Sequence, residues 1–323
     1  MKRDLPIGIF DSGVGGLTVY RALHERLPRE RFVYLGDTAR VPYGTKSLRT
    51  VERYAIENAR FLEAHGIKML VVACNTASAL ALPAVGRSVS VPVVGVIEPG
   101  ARAVVEASAG RRIGVIATES TVKSGAYSQA IRKLRAEAEV VERACPLFVS
   151  LAEEGWAETD VARAVAAEYL ADLRGDHLDA LVLGCTHYPI LRGVIQETVG
   201  ARVRLIDSGE ATAASVEALL GSENLARTVS ATLTDDNGTQ SGDTQSHGAR
   251  SDGAGAMSSL DAGSVEGAGG ARARSLCDDL DHFYVTDAAE RFARVAERFL
   301  GSAPRVLEAV EVWGQDEFQT RER

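Results

Sequence analysis

Lysine is scarce in this chain. Lys2, Lys46, Lys68, Lys123 and Lys133 stand among 36 lysines and arginines, and none follows Lys133. A pyridoxal-phosphate enzyme needs a lysine for its Schiff base, so few candidates exist and a cofactor-free chemistry gains. Cysteine is sparse too: Cys74, Cys145, Cys185 and Cys277, with no Cys-x-x-Cys pair. That spacing disfavours zinc, so no metal is expected. In a reducing compartment a disulfide is not expected either. No apolar stretch approaches the roughly 18 residues of a membrane span. The opening Met1-Lys2-Arg3-Asp4-Leu5-Pro6-Ile7 runs straight into a strand-like segment without a secretory h-region, and the expected location is cytoplasmic. Positive charge is in deficit, for a net −8. This argues against an extended nucleic-acid footprint and leaves room for a small anionic ligand.

Core-forming material is plentiful. Hydrophobic residues make up 46% and charged residues 25% of 323 positions, enough for one large domain or two ordinary ones. Strand-like segments at 7–10, 31–35, 68–73, 93–97, 112–117, 139–144, 178–183 and 203–206 alternate with helix-like ones. The helices fall near 17–27, 48–65, 124–136, 160–173 and 190–199, and another begins at Glu98. This alternation predicts an α/β fold with parallel sheets under helical cover. The stretch 228–275 differs: it is built of Ser, Gly, Asp, Thr and Ala and has no aromatic residue. It has too little apolar surface to offset the entropy of ordering, so disorder is expected there. A strand at 282–287 and a helix at 288–300 come next, with some strand character over 305–312.

Two of the strands share an ending. Val71-Val72-Ala73-Cys74-Asn75-Thr76 and Leu181-Val182-Leu183-Gly184-Cys185-Thr186-His187 are apolar runs that stop at a cysteine succeeded by small polar residues. Such runs suit strands buried on both faces, with the cysteine at the carboxyl end of the sheet, where open α/β sheets place their chemistry. An arbitrary cysteine is more often a packing residue, and Cys145 and Cys277 are read as packing or benign surface. The repeated context at Cys74 and Cys185 favours a paired site, and a helix start at a thiol stabilises its thiolate. Asn75, Thr76 and Thr186 suit helix caps or a carboxylate ligand at a helix start. His187, two residues past a strand end, is expected in a cleft.

Other loops meet this sheet edge. Asp11-Ser12-Gly13-Val14-Gly15-Gly16 matches neither a Walker loop nor the dinucleotide fingerprint, yet offers a carboxylate, a hydroxyl and backbone donors. In Gly36-Asp37-Thr38-Ala39-Arg40-Val41-Pro42-Tyr43-Gly44, Pro42 and Gly44 flank Tyr43 in a loop suited to presenting backbone groups, or in an ordinary connection. Thr118 to Thr121 and Glu153-Glu154 are read at comparable strand ends, where a capping threonine and a solvated glutamate pair are common alternatives.

Taken together, these stretches resemble the glutamate racemase family of the aspartate/glutamate racemase superfamily. Val96-Ile97-Glu98-Pro99-Gly100, Tyr188-Pro189 and Ile206-Asp207-Ser208-Gly209 extend the resemblance, which covers residues 7 to about 220 and resumes over 283–300. It implies two pseudo-symmetric α/β domains with the active site in the cleft between them. The first would hold 1–97 plus 210–323 and the second 98–209; the low-complexity stretch departs from the family pattern. It also implies cofactor-independent racemisation of glutamate, supplying D-glutamate for peptidoglycan, by a homodimer that needs neither nucleic acid nor membrane.

Inverting a stereocentre removes a proton from one face of the α-carbon and returns one to the other. Two opposed bases do this without either swinging around the substrate, and a thiol near pKa ~8.5 is a workable base and acid. The resemblance makes Cys74 the base for D-glutamate and Cys185 that for L-glutamate. Asp11 and His187 would stand beside them, with Asp37 and Glu153 (or Glu154) as assisting carboxylates. Ser12, Asn75, Thr76 and Thr186 would hold the α-carboxylate as charge develops. Pro42, Tyr43, Gly44, Thr118 and Thr121 would complete the substrate contacts. Rival readings are racemisation of aspartate or another acidic amino acid, a decarboxylase (which would keep one of the two cysteines), and a non-catalytic regulator using the acidic insert for contacts.

Overall fold

The apolar runs fold as strands of two separate, all-parallel sheets. The computed structural model describes residues 2–173, 178–228 and 274–313. The stretch expected to be disordered, 228–275, lies outside the described residues except for its flanks Thr228, Arg274 and Ser275. The first half runs β1 (Ile7–Asp11), α1 (Leu17–Arg26), β2 (Phe32–Gly36), α2 (Leu48–Ala64), β3 (Met69–Val72), α3 (Asn75–Ser88), β4 (Val93–Gly95) and α4 (Ile97–Ala107). The second has β5 (Arg112–Ala117), α5 (Glu119–Ser124), α6 (Ala126–Leu134), β6 (Glu139–Ala144), α7 (Leu147–Glu153) and α8 (Asp160–Tyr169). It continues through β7 (Ala180–Gly184), α9 (Arg192–Val199) and β8 (Arg204–Asp207). Then come α10 (Ser208–Ser222), β9 (His282–Val285), α11 (Ala289–Leu300) and β10 (Leu307–Ala309).

Parallel neighbours cannot be joined by a tight hairpin, so each connection crosses over through a helix. Helices on both faces then bury the strands completely: every residue of β1, β2, β3 and β7 is buried. This is why those segments read as unbroken apolar runs rather than as alternation.

The sheet orders are β10-β9-β2-β1-β3-β4 and β6-β5-β7-β8. Apart from the added β9 and β10, the two sheets have the same order. Each has a switch point, between β1 and β3 in one and between β5 and β7 in the other. There successive connections leave in opposite directions and a crevice opens at the carboxyl ends. Ile9 lies opposite Val71 across the first, and Val115 opposite Val182 across the second. Cys185 comes directly after β7 and Cys74 two residues past the end of β3, so the thiols hold corresponding places.

One apolar cluster joins the two sheets, with Ile9, Tyr34 and Val71 on one side and Leu181, Leu183 and Tyr188 on the other. α10 packs against both α1 and α4. α11 turns Phe292, Val295, Ala296, Phe299 and Leu300 inward. Cys145 and Cys277 are buried, so both are packing residues.

Three local expectations are corrected. The helix expected over 124–136 is α6, shortened to 126–134, and an unanticipated short helix, α5, precedes it; Gly125, left-handed at φ 63°, ends the one and starts the other. Glu153 does not sit at a strand end; it is the last residue of α7, a helix too short to show a period in the sequence. The strand character over 305–312 narrows to the three residues of β10.

Candidate active site

Cys74 caps α3. Its Sγ accepts a hydrogen bond from the Ala77 N–H at 3.5 Å, and the thiol faces the Ser12 hydroxyl at 3.6 Å. Behind Ser12 the glycine-rich turn is tied down: Gly13 N–H donates to Asp11 Oδ2 at 2.9 Å, and the Tyr34 hydroxyl donates to the Gly13 carbonyl at 2.9 Å. Asp11 Oδ1 accepts from the Thr186 hydroxyl at 3.4 Å, which links the first crevice to the second. Gly15 makes this approach possible. A Cβ there would sit 2.4 Å from Thr186 Oγ1 and 2.5 Å from the His187 ring, closer than any side chain tolerates.

Cys185 has different surroundings. The turn Tyr188–Leu191 and then α9 come after it, so no α-helix starts at this thiol. The helix-start stabilisation expected for both cysteines therefore belongs to Cys74 alone. At Cys185 a histidine takes its place: His187 Nδ1 lies 3.8 Å from Sγ, and Nε2 lies 3.0 Å from Glu153 Oε1. His187 is only 3% exposed, deeper than a cleft position suggests.

Burial dominates the electrostatics of the site. It raises the Cys74 thiol to about 12, aided by the Asp11 charge and, more weakly, by Cys185, against the hydrogen bonds of Ala77 and Ser12. The Cys185 contribution means that two thiolates at once are disfavoured. Burial also raises Asp11, opposed by His187 and the turn's N–H groups. For His187 burial works against the charged form, but hydrogen bonds and charges from Cys185 and Glu153 outweigh it and raise the ring to about 10. Burial would raise Glu153, yet His187 and Arg291 together hold it below its ordinary value.

The remaining residues split into two groups. Thr76 Oγ1 lies 2.9 Å from Thr118 Oγ1 and 3.2 Å from Thr121 Oγ1, and those two are 3.0 Å apart. Beside them Asn75 Oδ1 accepts from the Tyr127 hydroxyl at 2.7 Å, while its Nδ2 is buried without a partner. A buried amide donor left over is costly, and a ligand carboxylate is the kind of acceptor that satisfies it.

Asp37 belongs to a second network. Its carboxylate accepts from Arg40 Nε at 2.7 Å, Thr286 Oγ1 at 3.0 Å, Asn58 Nδ2 at 3.4 Å and the Tyr43 hydroxyl. These bonds tie the loop bearing Pro42, Tyr43 and Gly44 to α2 and to the end of β9. The Ser120 hydroxyl donates to the Gly44 carbonyl at 2.8 Å, so the loop reaches the second half. Arg40, Asn58, Tyr127 and Thr286 do not stand out in the sequence. Thr286 falls inside the strand expected over 282–287 and is the residue after a strand only in the structure, where β9 ends at Val285.

Among the described residues, no group of three or more His, Cys, Asp or Glu side chains could hold a metal ion, and no helix is long and apolar enough to cross a membrane. A family model for Asp/Glu/hydantoin racemases matches residues 7–216. A glutamate racemase of Geobacter metallireducens is 57% identical over 224 residues, 69% of this chain and 83% of that protein. One from Koribacter versatilis is 40% identical over 318 residues, 97% of this chain and 100% of its own. The crystal structure of glutamate racemase from Francisella tularensis in complex with D-glutamate has a TM-score of 0.75 at 34% identity, covering 96% of this chain and 98% of that one. With paired thiols at matching switch points and similarity along nearly its whole length, the chain belongs to the glutamate racemases of the Asp/Glu/hydantoin racemase family.

Proposed function

We propose that this protein interconverts L- and D-glutamate without a cofactor, by proton transfer between Cys74 and Cys185, and that it supplies D-glutamate for peptidoglycan. The observation that carries the reading is the pair of buried thiols at equivalent switch points, drawn together by the Asp11–Thr186 bond. Residues 1–97 with 210–323, and 98–209, are read as the two lobes around the cleft.

Cys74, which holds its proton tightly, starts as the acid. For L-glutamate the base is Cys185, whose sulfur lies 3.8 Å from His187 Nδ1. Its sulfur takes the α-proton of L-glutamate while Cys74 delivers a proton to the opposite face, leaving D-glutamate and the reversed protonation pattern. Asp11 acts on Cys74, orienting that thiol and tuning its protonation. Ser12, Asn75, Thr76 and Thr186 receive the α-carboxylate, where negative charge grows in the transition state. Thr118, Thr121 and the backbone of Pro42, Tyr43 and Gly44 bound the rest of the molecule. Asp37 acts through that loop and Glu153 through His187. The active species is read as a cytoplasmic homodimer.

Circular dichroism of L-glutamate with the purified protein and no added cofactor tests the reading. The signal is expected to decay to zero, and an unchanged signal overturns it; faster turnover of L-aspartate would transfer the activity to that substrate. Cys74→Ala and Cys185→Ala should each lower kcat/KM by more than about 10³-fold in both directions. Substantial turnover in either variant contradicts the two-thiol route.

A further inference from the structure

α11 reaches the back of the Cys185 half of the site. Arg291 Nη2 lies 3.3 Å from Glu153 Oε2 and 3.8 Å from Glu154 Oε1, and Arg298 Nη1 donates to the Glu153 carbonyl at 2.7 Å. Positions 291 and 298 are two turns apart, so one face of the helix holds both the side chain and the backbone of Glu153. The other carboxylate oxygen, Oε1, meets His187 Nε2, whose ring faces Cys185.

We propose that Arg291 is a positioning residue for racemisation: it fixes the Glu153 carboxylate that aims His187 at the Cys185 thiol. The proposal rests on the two-thiol reading. A glutamate side chain has several free torsions, and one held only by His187 keeps alternative orientations that take the imidazole with it. A second arm on Oε2 removes that freedom. Arg291 is itself 59% exposed at its side chain, so solvent screens the pair and its effect is graded rather than absolute. The charged groups facing His187 are Asp11 from the end of β1, Cys185 on its own segment and Glu153 from α7, with Arg291 and Arg298 of α11 behind Glu153 and Glu154 beside them. Among these His187 does most to hold Glu153 ionised and the Arg291 cation adds to it, so loss of Arg291 makes that carboxylate easier to protonate.

The test compares pH profiles of kcat/KM for the parent, Arg291→Gln and Arg291→Lys. Arg291→Gln should lower kcat/KM about 3- to 10-fold, equally in both directions because the enantiomers have equal free energy. Its acid limb should move to higher pH with the thermal midpoint unchanged, and Arg291→Lys should restore most of both. A profile that merely scales without moving, or a parental profile in Arg291→Gln, overturns the proposal. A further measurement needs no variant. Salt at about 1 M, where the screening length falls to about 3 Å, should move the parental limb the same way, and a fixed limb counts against the proposal. Failure of the underlying reading shows separately, as parental turnover in Cys185→Ala.

Discussion

His187 keeps its proton because its two ring nitrogens have partners, Cys185 at 3.8 Å and Glu153 at 3.0 Å. Its folded value near 10 lies above the ordinary 6.5, so the pair stabilises the fold fully below about pH 6.5. That contribution is lost as pH rises through about 10. Glu153 runs the other way: its folded value is depressed, so its share is present above the ordinary carboxylate range and is lost on acidification. His187→Gln should therefore show a larger stability deficit at pH 6 than at pH 10 by urea denaturation. An equal deficit at both would mean the charge contributes nothing. Cys74 and Cys185 were legible because each ends an apolar run. The unlike environments of the two thiols were not, since the helix start at Cys74 and the histidine at Cys185 depend on the path the chain takes beyond each strand.

The loop from Asp37 to Gly44 is a braced element rather than a passive connection. Arg40 pairs with Asp37 and Glu57, donates to Asn58 Oδ1, and lies 4.2 Å from the Tyr54 ring centroid and 5.4 Å from that of Trp313. Removing the Asp37 carboxylate takes one partner from the half-buried Arg40 guanidinium, which keeps Glu57 and Asn58, and leaves the Tyr43 and Thr286 hydroxyls without their buried acceptor. Asp37→Ala is expected to cost about 2–3 kcal/mol and to raise KM for glutamate, read from thermal melts and steady-state kinetics. A normal melting temperature with a large loss of kcat would instead mark Asp37 as acting on the reacting atoms. The loop itself was legible from its Pro and Gly residues. Its anchoring was not, because Arg40 lies in the loop itself while its partner Asn58 sits inside α2, where no local pattern marks it. α7 was missed for a related reason, seven residues being too few for a period to emerge.

The described residues form two sheets alike in order but for the added β9 and β10, and the residues on either side of 229–273 meet at Glu30. Arg227 N–H donates to Glu30 Oε1 at 2.8 Å, and the Arg274 guanidinium donates to the Glu30 carbonyl. Buried Lys68 pairs with the Glu30 carboxylate and donates to the Leu225 carbonyl at 2.9 Å. With both flanks tied there, deletion of residues 235–271 should leave kcat/KM within a few-fold of the parent; a collapse in a variant that still folds would make the segment functional. Sequence alone determined the α/β class, the repeated strand endings and most of the polar residues around the two thiols. Those properties are local: side-chain period, run length and the residue types just past a strand end. Tertiary structure decided the rest: Glu153 at His187, Tyr127 at Asn75, the three-threonine cluster and the grip of α11. Arg291 and Glu153 stand 138 positions apart, and no local pattern encodes a contact made only when the halves pack.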